Sequence, residues 1–416
     1  MSLRIAINAQ LVPGSGVGGV QTVLTGLVNA LAQLNGPEQY VLVGPWEEPD
    51  WLKPYIGENQ CIVRGPKVQA IKRMLRCVTP LVKIGRQASS WISGTGKGWP
   101  RLAQSNGFFE GLGCDIVHFP YQHFVLSRLP AVFNPHDLQH AHFPHFFSAT
   151  ELQWREATYG DACRTADVVI VHCEWTKKDV VRHYDIQPNK IQVIPWPPPT
   201  QAYLEPTPAI LEAVSRKYQL SSKFALYPAM TWEHKNHLRL LEALALLRDR
   251  DRLRVELVCT GHQDGFFRHI RRRLNELRLE DQVRFLKMVP SEEIRALYRL
   301  AQFLVFPSLF EGAGVPLVEA FAEGTPVTCA AVTSMPELAG DAALLFNPMS
   351  VEGIAEAVSK IATDSFLRET LKKRGFARLE NFKWETTAKT YRAVYRRAAG
   401  CRLTDEDQWL LSRREA

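Results

Sequence analysis

Two series of six short apolar runs, each run followed by a longer polar-faced stretch, constrain this chain more than any other feature. The first series reads Ile5–Gln10, Tyr40–Val43, Ile116–Phe119, Ala131–Asn134, Val168–His172 and Ile191–Ile194. The second reads Phe224–Tyr227, Arg254–Cys259, Val283–Leu286, Phe303–Pro307, Pro326–Cys329 and Ala342–Phe346. Helical patterns lie between them, as at His237–Arg248, Asp264–Arg278 and Pro316–Ala322. Strands that alternate with helices form parallel sheets covered on both faces. Between the two series stands Trp196-Pro-Pro-Pro-Thr200, which can continue neither a helix nor a central strand. The expectation is an α/β chain of two Rossmann-like, doubly wound domains facing across a cleft. A length of 416 residues suits two cores. The expected division is 1–200, 201–384, and a helical tail at 385–416 packing back on the first domain. Ligands of such sheets bind where strand ends lead into helices, so chemistry is sought in those loops.

Composition narrows the function classes. With 46% hydrophobic and 22% charged residues the chain is a folded globular protein. Its net charge of +7 is unevenly placed: no acidic residue lies between Glu58 and Glu110, while Arg64, Lys67, Lys72, Arg73, Arg76, Lys83, Arg86, Lys97 and Arg101 do. That segment, 59–109, carries +9 and leaves the rest at −2, a pattern that argues against a general nucleic-acid surface. The eight cysteines form no C-x-x-C pair, and most sit in strand-like runs; free buried thiols in a reducing compartment are expected. Residues 5–37 are uncharged, but Pro13 and four glycines between 14 and 19 interrupt them, which excludes a membrane span there. The first strand begins at once, so no secretory leader is expected.

Four loops carry candidate chemistry. Gly14-Ser-Gly16-Val-Gly18-Gly19 formally matches the dinucleotide fingerprint, but the acid expected some 20 residues on is missing. The loop reads better as backbone that approaches a ligand closely, because glycine has no Cβ. His136-Asp137 follows the run Ala131–Asn134 and is placed as a polar pair at the cleft. His140, His142 and His145 lie nearby, but Pro135 and Pro144 disfavour a metal-ligand helix. Lys235-Asn236 ends the loop after the second series' first strand, where an ammonium can meet an anion. Phe306–Val327 is the richest stretch: Glu311 in a glycine-bearing loop, Pro316 at a first helical turn, Glu319 inside the helix. Amides of Gly314 and Val315 at that helix start suit a phosphate, and carboxylates accept hydrogen bonds from sugar hydroxyls. Two carboxylates also suggest a glycoside hydrolase. A lysine opposite a helix start favours a sugar attached to a diphosphate.

These motifs resemble glycosyltransferase family 4, retaining, metal-independent enzymes of the GT-B fold that use nucleotide-activated sugars. Glu311 and Glu319 match its E-x(7)-E signature within SLFEGAGVPLVEAFAEGTPV; TSMPELAGDAALLF and the FKW at 382–384 follow. On the first side GGV at 18–20, HD at 136–137, ADVVIVHCEWTKKD at 166–179 and KIQVIP at 190–195 match. The resemblance covers about residues 3–395. It implies that Glu311 contacts donor-sugar hydroxyls, Glu319 the ribose, Lys235 the diphosphate, and His136 the sugar near the reacting carbon. Gly18 and Gly19 line the cleft, and Asn236, Gly314 and Val315 belong to the donor site. Three positions depart from the pattern: Ala313 for a usual Phe, Met230 for a usual Arg, and WPPP at 196–199 for asparagine-glycine.

The expected function is retaining transfer of a sugar, mannose from GDP-mannose before a UDP-sugar, to a glycan or lipid-linked acceptor, without metal or other cofactor. The alternatives are a non-catalytic nucleotide-sugar-binding subunit and a GT-B phosphorylase or epimerase. Ile71–Arg86 reads as a basic amphipathic helix. Ile71, Met74, Leu75, Val78, Leu81 and Val82 share one face, and Lys72, Arg73, Arg76, Lys83 and Arg86 lie beside it. That pattern implies contact with an acceptor phosphate or an anionic membrane, for a cytoplasmic protein peripheral at the inner face.

Overall fold

The computed structural model describes residues 2–12, 19–67 and 102–413. The first domain is built on strands β1 (Arg4–Asn8), β2 (Gln39–Gly44), β3 (Gln60–Arg64), β4 (Ile116–Phe119), β5 (Ala131–Phe133), β6 (Val168–Val171) and β7 (Ile191–Val193). All pair in parallel, in the order β3-β2-β1-β4-β5-β6-β7. The second is built on β8 (Phe224–Pro228), β9 (Glu256–Thr260), β10 (Val283–Phe285), β11 (Phe303–Phe306), β12 (Val327–Ala330) and β13 (Ala343–Phe346), in the order β10-β9-β8-β11-β12-β13. Each sheet reverses its winding beside its first strand, between β1 and β4 and between β8 and β11. A crevice opens at such a switch point.

The central strands are buried along their whole length, as in the runs Ile116–Phe119, Val168–Val171 and Phe303–Phe306. Apolar strands buried on both faces are what a helix-covered parallel sheet demands. The second domain has one continuous core and the first has two, one on each face of its sheet.

The chain crosses between domains twice, side by side. The first crossing passes through the proline cluster and a short 3₁₀ turn at Pro199–Ala202. The second follows Phe382, which belongs to the second core, and leads to helix Trp384–Ala398, whose apolar face lies in the first core. Trp384 donates its indole N–H to the Pro198 carbonyl at 2.8 Å, and Thr387 donates to Pro195 O at 3.3 Å, tying the crossings together. A Cβ on Gly26 of helix Gly19–Ala32 would overlap the Trp384 ring, so only glycine lets this helix dock. Arg396 then pairs with Glu38 and Asp407, fixing the tail to the first domain.

Beyond Thr200 the chain is held to the second domain. Arg295, on helix Ser291–Leu300, donates to the carbonyls of Tyr203 (3.0 Å) and Leu204 (2.8 Å) and to the buried Glu323 carboxylate (2.6 Å). Arg299 joins Glu323 to Glu205.

Candidate functional site

The loops after β8 and β11 bring Lys235 and Glu311 together. Lys235 Nζ lies 2.5 Å from Glu311 Oε1, with both side chains about seven-eighths buried. The ammonium also sits 5.6 Å from the Phe306 ring centroid. Each partner needs the other, because a buried unpaired charge is costly.

Their backbones are fixed by residues distant in sequence. Thr333 Oγ accepts from Glu311 N at 3.1 Å and donates to Glu311 O at 2.9 Å; Ser334 Oγ donates to the same carbonyl at 2.9 Å. Asn236, in the left-handed region at φ 61°, gives its two amide hydrogens to Pro307 O (3.0 Å) and Pro348 O (2.8 Å). Both donors being spent, this side chain ties three strand-end loops together and positions Lys235.

Glu319 lies on the inner face of helix Val315–Ala322. Tyr298, fully buried, donates its hydroxyl to Glu319 Oε2 at 2.8 Å. Burial pushes the Glu319 carboxyl up to about 7; the Tyr298 bond opposes the rise, and the Glu323 charge adds to it. Beside Glu319 is a cavity of about 60 Å³ between the domains, lined by Thr22, Tyr203, Ser291, Arg295 and others. The two carboxylates therefore serve different places: Glu311 at the strand-end loops, Glu319 deeper under the helix.

Gly314, at φ 53°, precedes that helix, and Val315 packs into the first domain's core. A Cβ on Gly19, where helix Gly19–Ala32 begins, would be 3.8 Å from Val315. The starts of two helices thus meet across the cleft. First-turn amides lack intrahelical partners, so this junction attracts anions. Gly18 lies outside the described residues, as do Lys72, Arg73, Arg76 and Lys83.

The facing wall comes from the loop after β5. His136 is buried in the left-handed region at φ 67°. Its Nδ1 is 3.3 Å from His172 Nε2, and its ring also hydrogen-bonds the Pro120 backbone carbonyl. Burial pushes its pKa down to about 3. Asp137 is pushed up by burial, while Arg155 and Lys235 pull it down. A Cβ on Gly312 would come within 2.8 Å of Asp137 Cβ and His136 O, so glycine lets the loop carrying Glu311 close on this wall. The other three histidines go elsewhere: His140 bonds Tyr184, His142 bonds Asp179, and His145 is exposed. Among the described residues no cluster of His, Cys, Asp or Glu is arranged to hold a metal ion.

Sequence reading assigned no role to Glu337. It reaches across the cleft and accepts from the amides of Glu174 (2.7 Å) and Trp175 (3.0 Å), the start of helix Glu174–Tyr184. It lies in TSMPELAG, beside Thr333 and Ser334, so the motif was visible while its partner was not.

Comparison with known proteins bears on both halves. The model of "Glycosyltransferase Family 4" matches residues 17–200, and that of "Glycosyl transferases group 1" matches 213–378. Together they span most of the chain. The O-antigen chain mannosyltransferase B of Escherichia coli is 29% identical over 277 residues, 65% of this chain and 71% of that protein. The next relatives match over 59% and 57% of their own length. Among solved structures, WaaG, a glycosyltransferase involved in lipopolysaccharide biosynthesis, superposes with TM-score 0.65 at 18% identity, covering 94% of this chain and 99% of WaaG. HepE of Anabaena, in complex with UDP-glucose, superposes with TM-score 0.66 at 17% identity, covering 94% and 99%. The fold is GT-B.

Proposed function

Because this chain belongs to glycosyltransferase family 4, we propose that it transfers mannose from GDP-mannose, with retention and without metal, to a glycan or lipid-linked acceptor. The Lys235–Glu311 pair at 2.5 Å, held at the switch point of the second sheet, is the observation that carries this reading. A bound nucleotide sugar replaces that pair with two better-matched contacts. The diphosphate takes the ammonium, and the sugar hydroxyls take the carboxylate. The converging helix starts at Gly19 and Val315 add favourable potential for the phosphates. Glu319 accepts from the ribose hydroxyls.

The reaction then needs no protein nucleophile. The acceptor hydroxyl attacks the anomeric carbon on the face that the diphosphate leaves, the carbon–phosphate oxygen bond breaks, and the departing phosphate oxygen takes the hydroxyl proton. Lys235 stabilises the charge that grows on the leaving group, and the cleft holds both reactants in place. A UDP-sugar is the second donor reading, supported by the likeness to HepE with UDP-glucose; the likeness to a mannosyltransferase supports the first. The basic segment, with its amphipathic pattern, supports peripheral contact with an anionic membrane that holds the acceptor. No helix among the described residues is long and apolar enough to cross a membrane.

The test is a panel of nucleotide sugars in a thermal-shift and turnover assay, with and without chelator. A shift with GDP-mannose and transfer that survives chelation are expected. No shift with any of them overturns the reading.

A further inference from the structure

We propose that Phe310 is a positioning residue: its ring, boxed by three rings of the first domain, sets the loop that carries Glu311 in place only when the cleft is closed. The inference deepens the transferase reading and rests on it for what Glu311 contacts, though not for how the loop is held.

Phe310 belongs to the second domain, directly before Glu311, and is 3% exposed. The three rings that pack on it all come from the first domain. His142 lies 5.1 Å away between centroids, Trp175 5.5 Å and Phe143 6.0 Å, the last two edge to face at 79°. Aromatic pairs favour that arrangement. The box is itself fixed. Trp175 stands in the first turn of helix Glu174–Tyr184, and Asp179 of the same helix holds His142 Nε2 at 2.9 Å. Phe143 stacks on Phe146, with centroids 5.2 Å apart.

The residues after Glu311 are gripped from the same side. The Gly312 carbonyl accepts from the Cys173 thiol at 3.6 Å, and Thr176 Oγ1 lies 3.5 Å from it. Ala313 and Val315 pack on the first domain's core. Between these grips, the Glu311 side chain turns back to Lys235 of its own domain. Thr333 and Ser334, also of its own domain, hold the Glu311 backbone at one point. Those bonds survive when the domains part; the contacts at 310, 312, 313 and 315 do not. A carboxylate anchored at one point can swing, whereas one anchored on both sides is aimed. A misplacement of about 1 Å can cost on the order of a hundredfold in rate. Closing the cleft and aligning Glu311 are therefore one event, the form that induced fit takes in this fold.

The test uses the full chain. Amide exchange of the 309–314 segment is followed by mass spectrometry on the protein alone and with GDP or UDP added. Trp175→Ala, a change in the other domain, should speed that exchange severalfold; unchanged exchange in both conditions overturns the proposal. Phe310→Ala should lower kcat/KM for the nucleotide sugar roughly ten- to a hundredfold. Kd for the nucleoside diphosphate, which lacks the sugar that Glu311 meets, should change little; an equal loss there means general damage to the donor site and overturns the proposal. Trp175→Ala should lower kcat/KM in the same way, and the double variant should lose little more than Phe310→Ala alone, because both remove one contact. Losses that multiply overturn it. Phe310→Leu keeps apolar bulk in the box and should restore much of kcat/KM. A leucine variant that melts like wild type but stays as slow as the alanine one overturns it too. Wild type that binds no nucleotide sugar counts against the transferase reading, while the exchange still decides how the loop is held.

Discussion

Lys235 illustrates how a site stores its ligand's place. Without substrate, the ammonium and the Glu311 carboxylate satisfy each other. In the proposed reaction the diphosphate and sugar hydroxyls compete with that bond, and the lysine's stabilisation grows as the leaving group gains charge. Lys235→Ala should therefore lower kcat/KM on the order of a hundredfold, and Glu311→Ala should do so comparably, with the fold intact by circular dichroism. Full activity in both variants would sink the assignment. Glu319 carries a different signature. Its carboxyl is pushed up to about 7, and in the proposed donor complex a ribose hydroxyl donates to the ionised form. Below pH 7 binding must first expel a proton, so affinity falls by up to about tenfold per unit. The two phosphates of a nucleotide sugar do not titrate there. Calorimetric Kd for the nucleotide sugar should thus weaken from pH 8 to 6, and Glu319→Gln should bind more weakly but without this slope. Stability has its own sign. A carboxyl whose pKa is raised by folding binds more protons folded than unfolded between its ordinary value and 7, so its contribution declines as pH rises through that window.

Among the elements, helix Glu174–Tyr184 belongs to one domain but is capped from the other by Glu337. A capping interaction is worth about 1 kcal/mol, and here it favours only the closed cleft. Glu337→Ala should weaken nucleotide-sugar binding about fivefold, with a larger radius of gyration by small-angle scattering; an unchanged Kd would mean that closure does not depend on this cap. Elements also show what a linear reading can and cannot see. The strands of both sheets were legible because buried parallel strands are continuous apolar runs. β3 was missed: Gln60–Arg64 is an edge strand in which Cys61 and Arg64 are exposed and Ile62 and Val63 only half-buried, so its pattern is weak. That Lys235, Glu311 and Glu319 stand at strand-end loops and a helix start was legible because loop-to-helix junctions and a motif mark them. For Asn236 the sequence places a polar residue beside a candidate lysine, and only the fold reveals Pro307 and Pro348 at its amide. Tyr298, Thr333 and His172 act through partners 21, 22 and 36 positions away, and no local spacing encodes such pairings.

At the scale of the whole molecule, the two domains are linked by paired crossings whose far sides are anchored differently. Trp384 and Thr387 hold the proline segment to the returning helix, while Arg295, Arg299 and Glu323 hold residues 203–206 to the second domain. Arg295→Met leaves the buried Glu323 with one partner, a loss of roughly 3 kcal/mol or more, and the melting temperature should fall accordingly. The charge distribution has the same whole-molecule character. The +9 segment belongs to one domain of a chain otherwise near −2. Just before the described residues lead into it, Trp46 is partly exposed, with Arg64 Cζ 5.4 Å and Lys67 Nζ 5.8 Å from its ring centroid. A ring with cations above it suits the boundary between headgroups and acyl chains. Each basic residue near an anionic surface contributes about 1 kcal/mol. Replacing Lys72, Arg73, Arg76 and Lys83 by alanine should therefore weaken co-sedimentation with phosphatidylserine vesicles by roughly tenfold or more, while leaving the nucleotide-sugar Kd unchanged. Because the attraction is electrostatic, 0.5 M salt should remove most of the difference between variant and wild type. Equal vesicle binding at low salt would reduce the segment to a solvated surface.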